Sequence, residues 1–309
     1  MALKDIKELT KAMLSVYNAG VVGLMYIHGC PAPTFLHAAE VVSGAFLMAC
    51  STQAINQVIE APYDKLMRRT QNRPIPTGRL SRFQGACISA VLGTASLGIF
   101  SQFGVSTCLT AAGIWGGYVG VYVPMKRLTR FNTHIGAVVG AAPVYLGWVA
   151  GTGGFAGIDP FLMAMYMTSW QFPHFYGILW TYKKDFERAG FKMITNTDID
   201  GKISYRSALL GSIGQLAAVL GLTYTGCINM YILPIALVYC IPQMADALKQ
   251  FRNFPGDLPA RRLMILSYKN IGSLFGLLVI SWIYQDLEDR FVKQVEKSAK
   301  EVRKYEHLT

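Results

Sequence analysis

Nine apolar runs, each close to twenty residues, recur along almost the whole chain, and no other feature limits its fold so severely. They fall at about 12–30, 37–61, 82–101, 105–123, 134–151, 156–180, 204–226, 228–246 and 268–286. About 20 residues in helical form span the roughly 30 Å hydrocarbon core of a bilayer. Backbone polar groups must be satisfied internally there, as a helix does. The expected fold is an all-α integral membrane protein with about nine transmembrane helices. Composition agrees, with 52% of the 309 residues hydrophobic and 15% charged.

The net charge of +11 does not indicate nucleic acid, because the cations are not spread over one surface. Six of the 29 Lys and Arg lie in the tail; the others gather before span 1 and in or beside loops 2–3, 4–5, 6–7 and 8–9. The alternate loops, near 31–36, 102–104, 152–155 and 227, hold none. Such a bias puts the N-terminus and the basic loops on the positive side of the membrane. An odd number of spans sends the 287–309 tail across, where Leu287, Phe291, Val295 and Val302 share a stripe of an amphipathic helix. Six cysteines without a C-x-x-C pair read as small buried hydrophobes. The first eleven residues carry Asp5 and Glu8, unlike an acid-poor transit peptide.

One stretch, NQVIEAPYDKLMRRTQNRPIPTG from Asn56 to Gly78, stands apart. Asn56, Glu60 and Asp64 follow one another at four-residue steps; at about 100° per residue each step advances about 40°, so all three share one helical face. Oxygen ligands suit Mg²⁺, which keeps waters and completes its shell with carboxylates and substrate phosphate. Arg68, Arg69 and Arg73 come next, with planar forks that grip phosphate bidentately. Topology-setting cations would need no carboxylates at this spacing. The pattern therefore points to a diphosphate site at the membrane edge. Pro62 interrupts the face, and the carbonyl it frees must find another partner.

Elsewhere, Lys126 and Arg127 follow Pro124 in loop 4–5, where anchoring and phosphate contact are both open for Lys126. Asn132 and Thr133 are expected to cap span 5, whose Gly136, Gly140 and Gly147 predict close helix contact. Span 6 ends in WQFPHFYGILWTY, with Pro173 beside His174 and six aromatic residues around the turn. His28 and His37, flanking the CPAPT link, fit either a cavity or a satisfied interfacial position. Loop 6–7 carries a second charged cluster: Lys183, Lys184, Asp185, Glu187 and Arg188. It comes four spans after the first. The regularity predicts two pseudo-repeated four-helix halves around a central cavity, plus a ninth helix, with the two clusters facing each other. Residues 1–309 would form one transmembrane domain, spanning about 12–286.

From about 10 to 285 the chain resembles the protoheme IX farnesyltransferase branch of the UbiA-type intramembrane prenyltransferases. The resemblance rests on N-x-x-x-E-x-x-x-D-x-x-M-x-R-T-x-x-R-P from Asn56 to Pro74, YVPMKR ending at Arg127, WQFPHF from Trp170 to Phe175, and D-F-x-x-A-G-x-x-M from Asp185 to Met193. The NQ-x-x-E-x-P-Y-D form is similar to mitochondrial members. The wider superfamily carries a second carboxylate four residues after the first of its second motif; here position 189 is Ala, and Gln53 stands where mitochondrial relatives have Asn. The resemblance implies farnesyl transfer from farnesyl diphosphate to a vinyl group of heme B. It implies Mg²⁺ held by Asn56, Glu60, Asp64 and Asp185, substrate contacts from Arg69, Arg73, Lys126, Arg127 and Lys183, and His174 toward the heme, as ligand or as hydrogen-bonding group. It implies a bilayer in the mitochondrial inner membrane, or the plasma membrane of a bacterium, and heme A synthase or oxidase assembly factors as partners. A quinone-type prenyltransferase and an anion transporter are the rival readings; transporter sites lie near mid-membrane, whereas these acids cluster at one face.

Overall fold

The computed structural model describes residues 2–231 and 233–306, whose regular secondary structure is entirely helical. Helix α1 (Leu3–Leu9) turns through Lys11 into α2 (Ala12–Gly29). Then come α3 (Phe35–Asp64), α4 (Arg82–Phe100), and α5 (Val105–Gly116), which continues through a π-helical turn at Gly117–Tyr122 into α6 (Val123–Leu128). Span 5 is built from α7 (Asn132–Ala141) and α8 (Pro143–Thr152). After α9 (Ile158–Thr181) and the short α10 (Lys183–Arg188) follow α11 (Lys202–Tyr224), α12 (Leu233–Asn253) and α13 (Asp257–Glu306). Among the described residues five stretches are long and apolar enough to cross a membrane: Phe35–Asp64, Arg82–Phe103, Asn132–Thr152, Lys202–Tyr224 and Asp257–Gln285. Helix α9, diluted by Asp159, Gln171 and His174, is not among them, although it packs against α7, α8, α11 and α13.

The expected spans coincide with helices, and the largest difference lies between the last two. Only 254–256 separates α12 from α13, because α13 starts eleven residues before the expected 268. Pro259 is tolerated there: it sits in the first turn, where its missing N–H has no intrahelical partner. Ala260, Leu263 and Leu266 then bury against α12 and Trp180. The tail is not a separate helix but the continuation of α13 to Glu306. The internal repeat is visible in the pairings, since α3 lies along α4 as α9 lies along α11.

Lipid tails are as apolar as Leu, so helices here associate through close packing and interhelical hydrogen bonds. Ser51 and Ser89 donate to each other's carbonyls at 2.8 and 2.9 Å, and Ser96 donates to the Gly44 carbonyl at 2.7 Å, joining α3 to α4. A Cβ at Gly147 would lie 2.1 Å from the Val22 carbonyl oxygen, so α8 meets the backbone of α2 directly. Pro173 frees the Ser169 carbonyl, and Gly211 of α11 packs onto it, where a Cβ would come within 2.6 Å.

The basic loops gather at one end. Arg79 reaches Asp5 (2.9 Å) and Glu8 (2.7 Å), and Gln57 donates to the Glu8 and Leu9 carbonyls, tying α1 to α3 and loop 2–3. Asn132 and Thr133 do not cap α7. Asn132 Nδ2 instead donates to the Thr129 and Lys192 carbonyls, both at 2.7 Å, stitching loop 4–5 to loop 6–7. The helix begins at Asn132 itself with Phe131 at the N-cap position, so the Asn132 side chain is left to join the two loops.

Candidate functional site

A cavity of about 630 Å³ opens among α2, α3, the π-helical turn, α6 to α9 and α13, while α4, α11 and α12 contribute no wall. That volume lies within the ordinary ~300–1,000 Å³ of ligand pockets. Asn56, Glu60 and Asp64 all line it, each less than 9% exposed, on the last turns of α3. The helix runs through Pro62 to Asp64, and the Val58 carbonyl freed by the proline accepts from Arg82 Nε at 3.1 Å. That bond keeps the third oxygen ligand on the helix and therefore on the shared face.

Each acid carries a basic partner. Arg73 Nη1 donates to both Asp64 oxygens at 2.9 and 2.8 Å, and Lys126 Nζ to Glu60 Oε1 at 2.8 Å. Asn56 Nδ2 donates to Glu60 Oε2 at 3.2 Å, while Asn56 Oδ1 is buried with no partner. A buried amide oxygen without a donor, beside two carboxylates, fits a hard divalent cation. Among the described residues no three His, Cys, Asp or Glu side chains converge on a point, so such an ion would draw the rest of its shell from Asn56, water and substrate. Arg69 lines the cavity from loop 2–3, its guanidinium 5.0 Å from the Tyr182 ring, and burial pushes its pKa below the arginine value.

The other sequence-derived residues separate. Asp185 is buried but accepts from the backbone N–H of Arg68 (3.2 Å) and Arg69 (3.1 Å), and from Arg188 (3.3 Å). The two charged loops thus meet, with Asp185 orienting the loop that carries Arg69; it is not among the residues lining the cavity. Arg127 lies 4.3 Å over the Tyr63 ring and Lys183 5.3 Å over that of Trp180, both outside the cavity wall. At the apolar end His174 is buried, stacked 4.8 Å from Trp170 and edge-on 4.5 Å from Tyr268, with Nδ1 2.9 Å from Ser267 Oγ. Of the six aromatics near it in sequence, Trp170 and Phe175 touch its ring; Tyr268 comes from α13.

Lys11 and the tyrosines of the π-helical turn, Tyr118 and Tyr122, are among the wall residues the sequence did not single out. Lys11 is the one non-glycine residue with positive φ (44°) among those described, and it donates to Gln53 Oε1 at 2.8 Å. Desolvation, reinforced by Arg73, lowers its pKa to about 7. No carboxylate bonds it, so an anion at the site would raise that value again. Prenyl diphosphate affinity is therefore expected to fall as pH rises above 7, by up to about tenfold per unit until the pKa of the bound state is reached. Lys11→Arg, always charged, should flatten that slope; titrations by scintillation proximity at pH 6.5 to 9 compare the two, and equal slopes would discard the expectation.

The UbiA prenyltransferase family pattern matches residues 18–268 of the chain. The chain belongs to the UbiA prenyltransferase family. Among relatives in that family, the protoheme IX farnesyltransferase of Flavobacterium psychrophilum is 33% identical over 271 residues, 85% of this chain and 89% of that protein. The human mitochondrial protoheme IX farnesyltransferase is 35% identical over 185 residues, 58% of this chain and 41% of that protein. Among solved UbiA-family folds, a homologue from Aeropyrum pernix superposes with a TM-score of 0.72 at 13% identity, over 88% of this chain and 98% of that one. One from Archaeoglobus fulgidus, bound to GPP and Mg²⁺, gives 0.64 at 15% identity, over 89% and 99%. The all-α, multi-pass UbiA architecture is thus established for this chain.

Proposed function

We propose that this UbiA-family prenyltransferase transfers a farnesyl group from farnesyl diphosphate to a vinyl group of heme B, making heme O. The observation that carries the reading is one cavity with an acid and base cluster at its charged end and a hydrogen-bonded histidine between aromatic rings at the other. Arg73 and Lys126, now paired with Asp64 and Glu60, would exchange those partners for the diphosphate oxygens, and Arg69 and Lys11 would add to the grip. Bound Mg²⁺, held by Asn56, Glu60 and Asp64, would supply charge neutralisation to the leaving diphosphate. Asp185 acts on this reading through the backbone of Arg68 and Arg69. The C1–O bond breaks with its electron pair going to diphosphate. The faces of Tyr118 and Tyr122 stabilise the allylic cation, and the enclosing helices keep water from it. The vinyl π electrons form the new C–C bond, and the resulting cation takes up water and releases a proton.

His174 would meet the heme iron through Nε2, with Nδ1 held by Ser267 so that the ring is fixed between Trp170 and Tyr268. Purified enzyme given labelled farnesyl diphosphate, heme B and Mg²⁺ should yield heme O; prenylation of a benzoate-type acceptor in its place would refute the acceptor. His174→Ala is expected to lower heme O formation about 10- to 100-fold, to keep farnesyl diphosphate binding, and to lose the Soret shift seen when heme is added to the wild type. An unchanged heme titration returns His174 to a packing role. The membrane would be the mitochondrial inner membrane, or the plasma membrane if the source is bacterial. Heme A synthase or oxidase assembly factors would be the partners there.

A further inference from the structure

A second pocket, of about 230 Å³, lies among α9, α11, α12 and α13 and shares no lining residue with the central cavity. No charged side chain lines it. Its walls are apolar, with Ser212, Gln215, Asn270 and Ser273 as polar exceptions and Tyr166 committed through its hydroxyl to the Asn270 carbonyl at 3.1 Å. Gln215 is only 5% exposed. Its Nε2 donates to the Gly211 carbonyl at 3.4 Å, while Oε1 has no partner among the described residues. Thirteen residues separate Gln215 from Lys202 at the start of α11 and nine from Tyr224 at its end, so the amide sits roughly 20 Å and 14 Å from the two ends. An orphaned acceptor at that depth carries its full desolvation penalty unless something donates to it. Polar side chains at membrane depth face the interior and mark sites.

We infer that this pocket binds a neutral, single-chain alcohol, whose hydroxyl donates to Gln215 Oε1. A phosphate or carboxylate headgroup is disfavoured by the absence of any cation in the wall and by the depth of the amide. The apolar walls suit one narrow hydrocarbon chain, and the mouth is open toward lipid between Ile213 of α11 and Ile241 of α12, both about half exposed. The inference rests on this pocket alone and stands or falls independently of the heme reaction.

The test uses the full chain in phosphatidylcholine nanodiscs with a diazirine-bearing farnesol as probe and its methyl ether as the matched non-donor. Saturable crosslinking in peptides of α11 to α13 is expected, with the ether binding about tenfold more weakly, the worth of one buried hydrogen bond. Gln215→Met, similar in length but without the amide, should erase the difference between alcohol and ether. Ala245→Phe, which fills the rim from α12, should reduce labelling by both and serves if the Gln215 variant does not fold. Equal labelling by alcohol and ether shows an acyl chain or nothing specific in the pocket and overturns the proposal. So do labelling confined to the lipid-facing surface and an alcohol preference that survives in Gln215→Met.

Discussion

Asp64→Asn is expected to lower farnesyl transfer by about 10³-fold, the scale of losing one electrostatic stabiliser from a preorganised site. Asp64 is fully buried, and both of its oxygens accept from Arg73. The substitution removes one oxygen of the metal-capable set and also leaves the Arg73 guanidinium, only 14% exposed, without its counter-charge. Breaking a buried pair from one side costs about 3–5 kcal/mol, so the variant should melt earlier as well as turn over slowly. Catalysis and folding separate by adding diphosphate: the anion resupplies negative charge to Arg73 and should recover the melting temperature but not the rate. Full activity in Asp64→Asn, or wild-type turnover in EDTA without Mg²⁺ or Mn²⁺, would contradict the metal-assisted reading.

Gly147→Val should prevent the bundle from assembling, and Gly147→Ala should already cost about 3 kcal/mol, the upper end of ordinary overpacking. A Cβ there would meet the Val22 carbonyl oxygen at 2.1 Å and Met25 Cβ at 2.9 Å. The first of these is backbone of α2 and has no rotamer into which to retreat. Gly98→Ala, on α4 with nothing within 4 Å of the added carbon, should be neutral or slightly stabilising. Fluorescence-detected size-exclusion after a temperature series distinguishes the variants; equal melting of Gly147→Ala and Gly98→Ala would show that α2 and α8 do not approach as closely as described.

Those two glycines mark where reading the chain runs out. The glycine-rich run of span 5 predicted a close helix contact at Gly147, yet nothing in it named the Val22 carbonyl of α2 as the partner. At Asn132 residue type and position predicted a cap, but α7 already begins there and the side-chain amide joins two loops. Asp185 was found as a carboxylate four spans after the first acidic cluster, yet its bonds to the Arg68 and Arg69 backbone depend on how the two loops dock. Lys11 carried no signal beyond being the last cation before a span.

Hydropathy alone specified the all-helical spanning architecture, because hydrocarbon forbids unsatisfied backbone and a 20-residue apolar run has few ways to comply. Four-residue spacing alone put Asn56, Glu60 and Asp64 on one face, because the helical period is a local property. The Lys126–Glu60 pair, the Tyr268 ring beside His174 and the surroundings of the Gln215 acceptor arise from contacts between helices far apart in the chain. Their partners are selected by the docking of whole helices, through glycine contacts and serine bonds that no local pattern encodes. The charged end of the site was therefore legible before the fold, and the shape of its cavity was not.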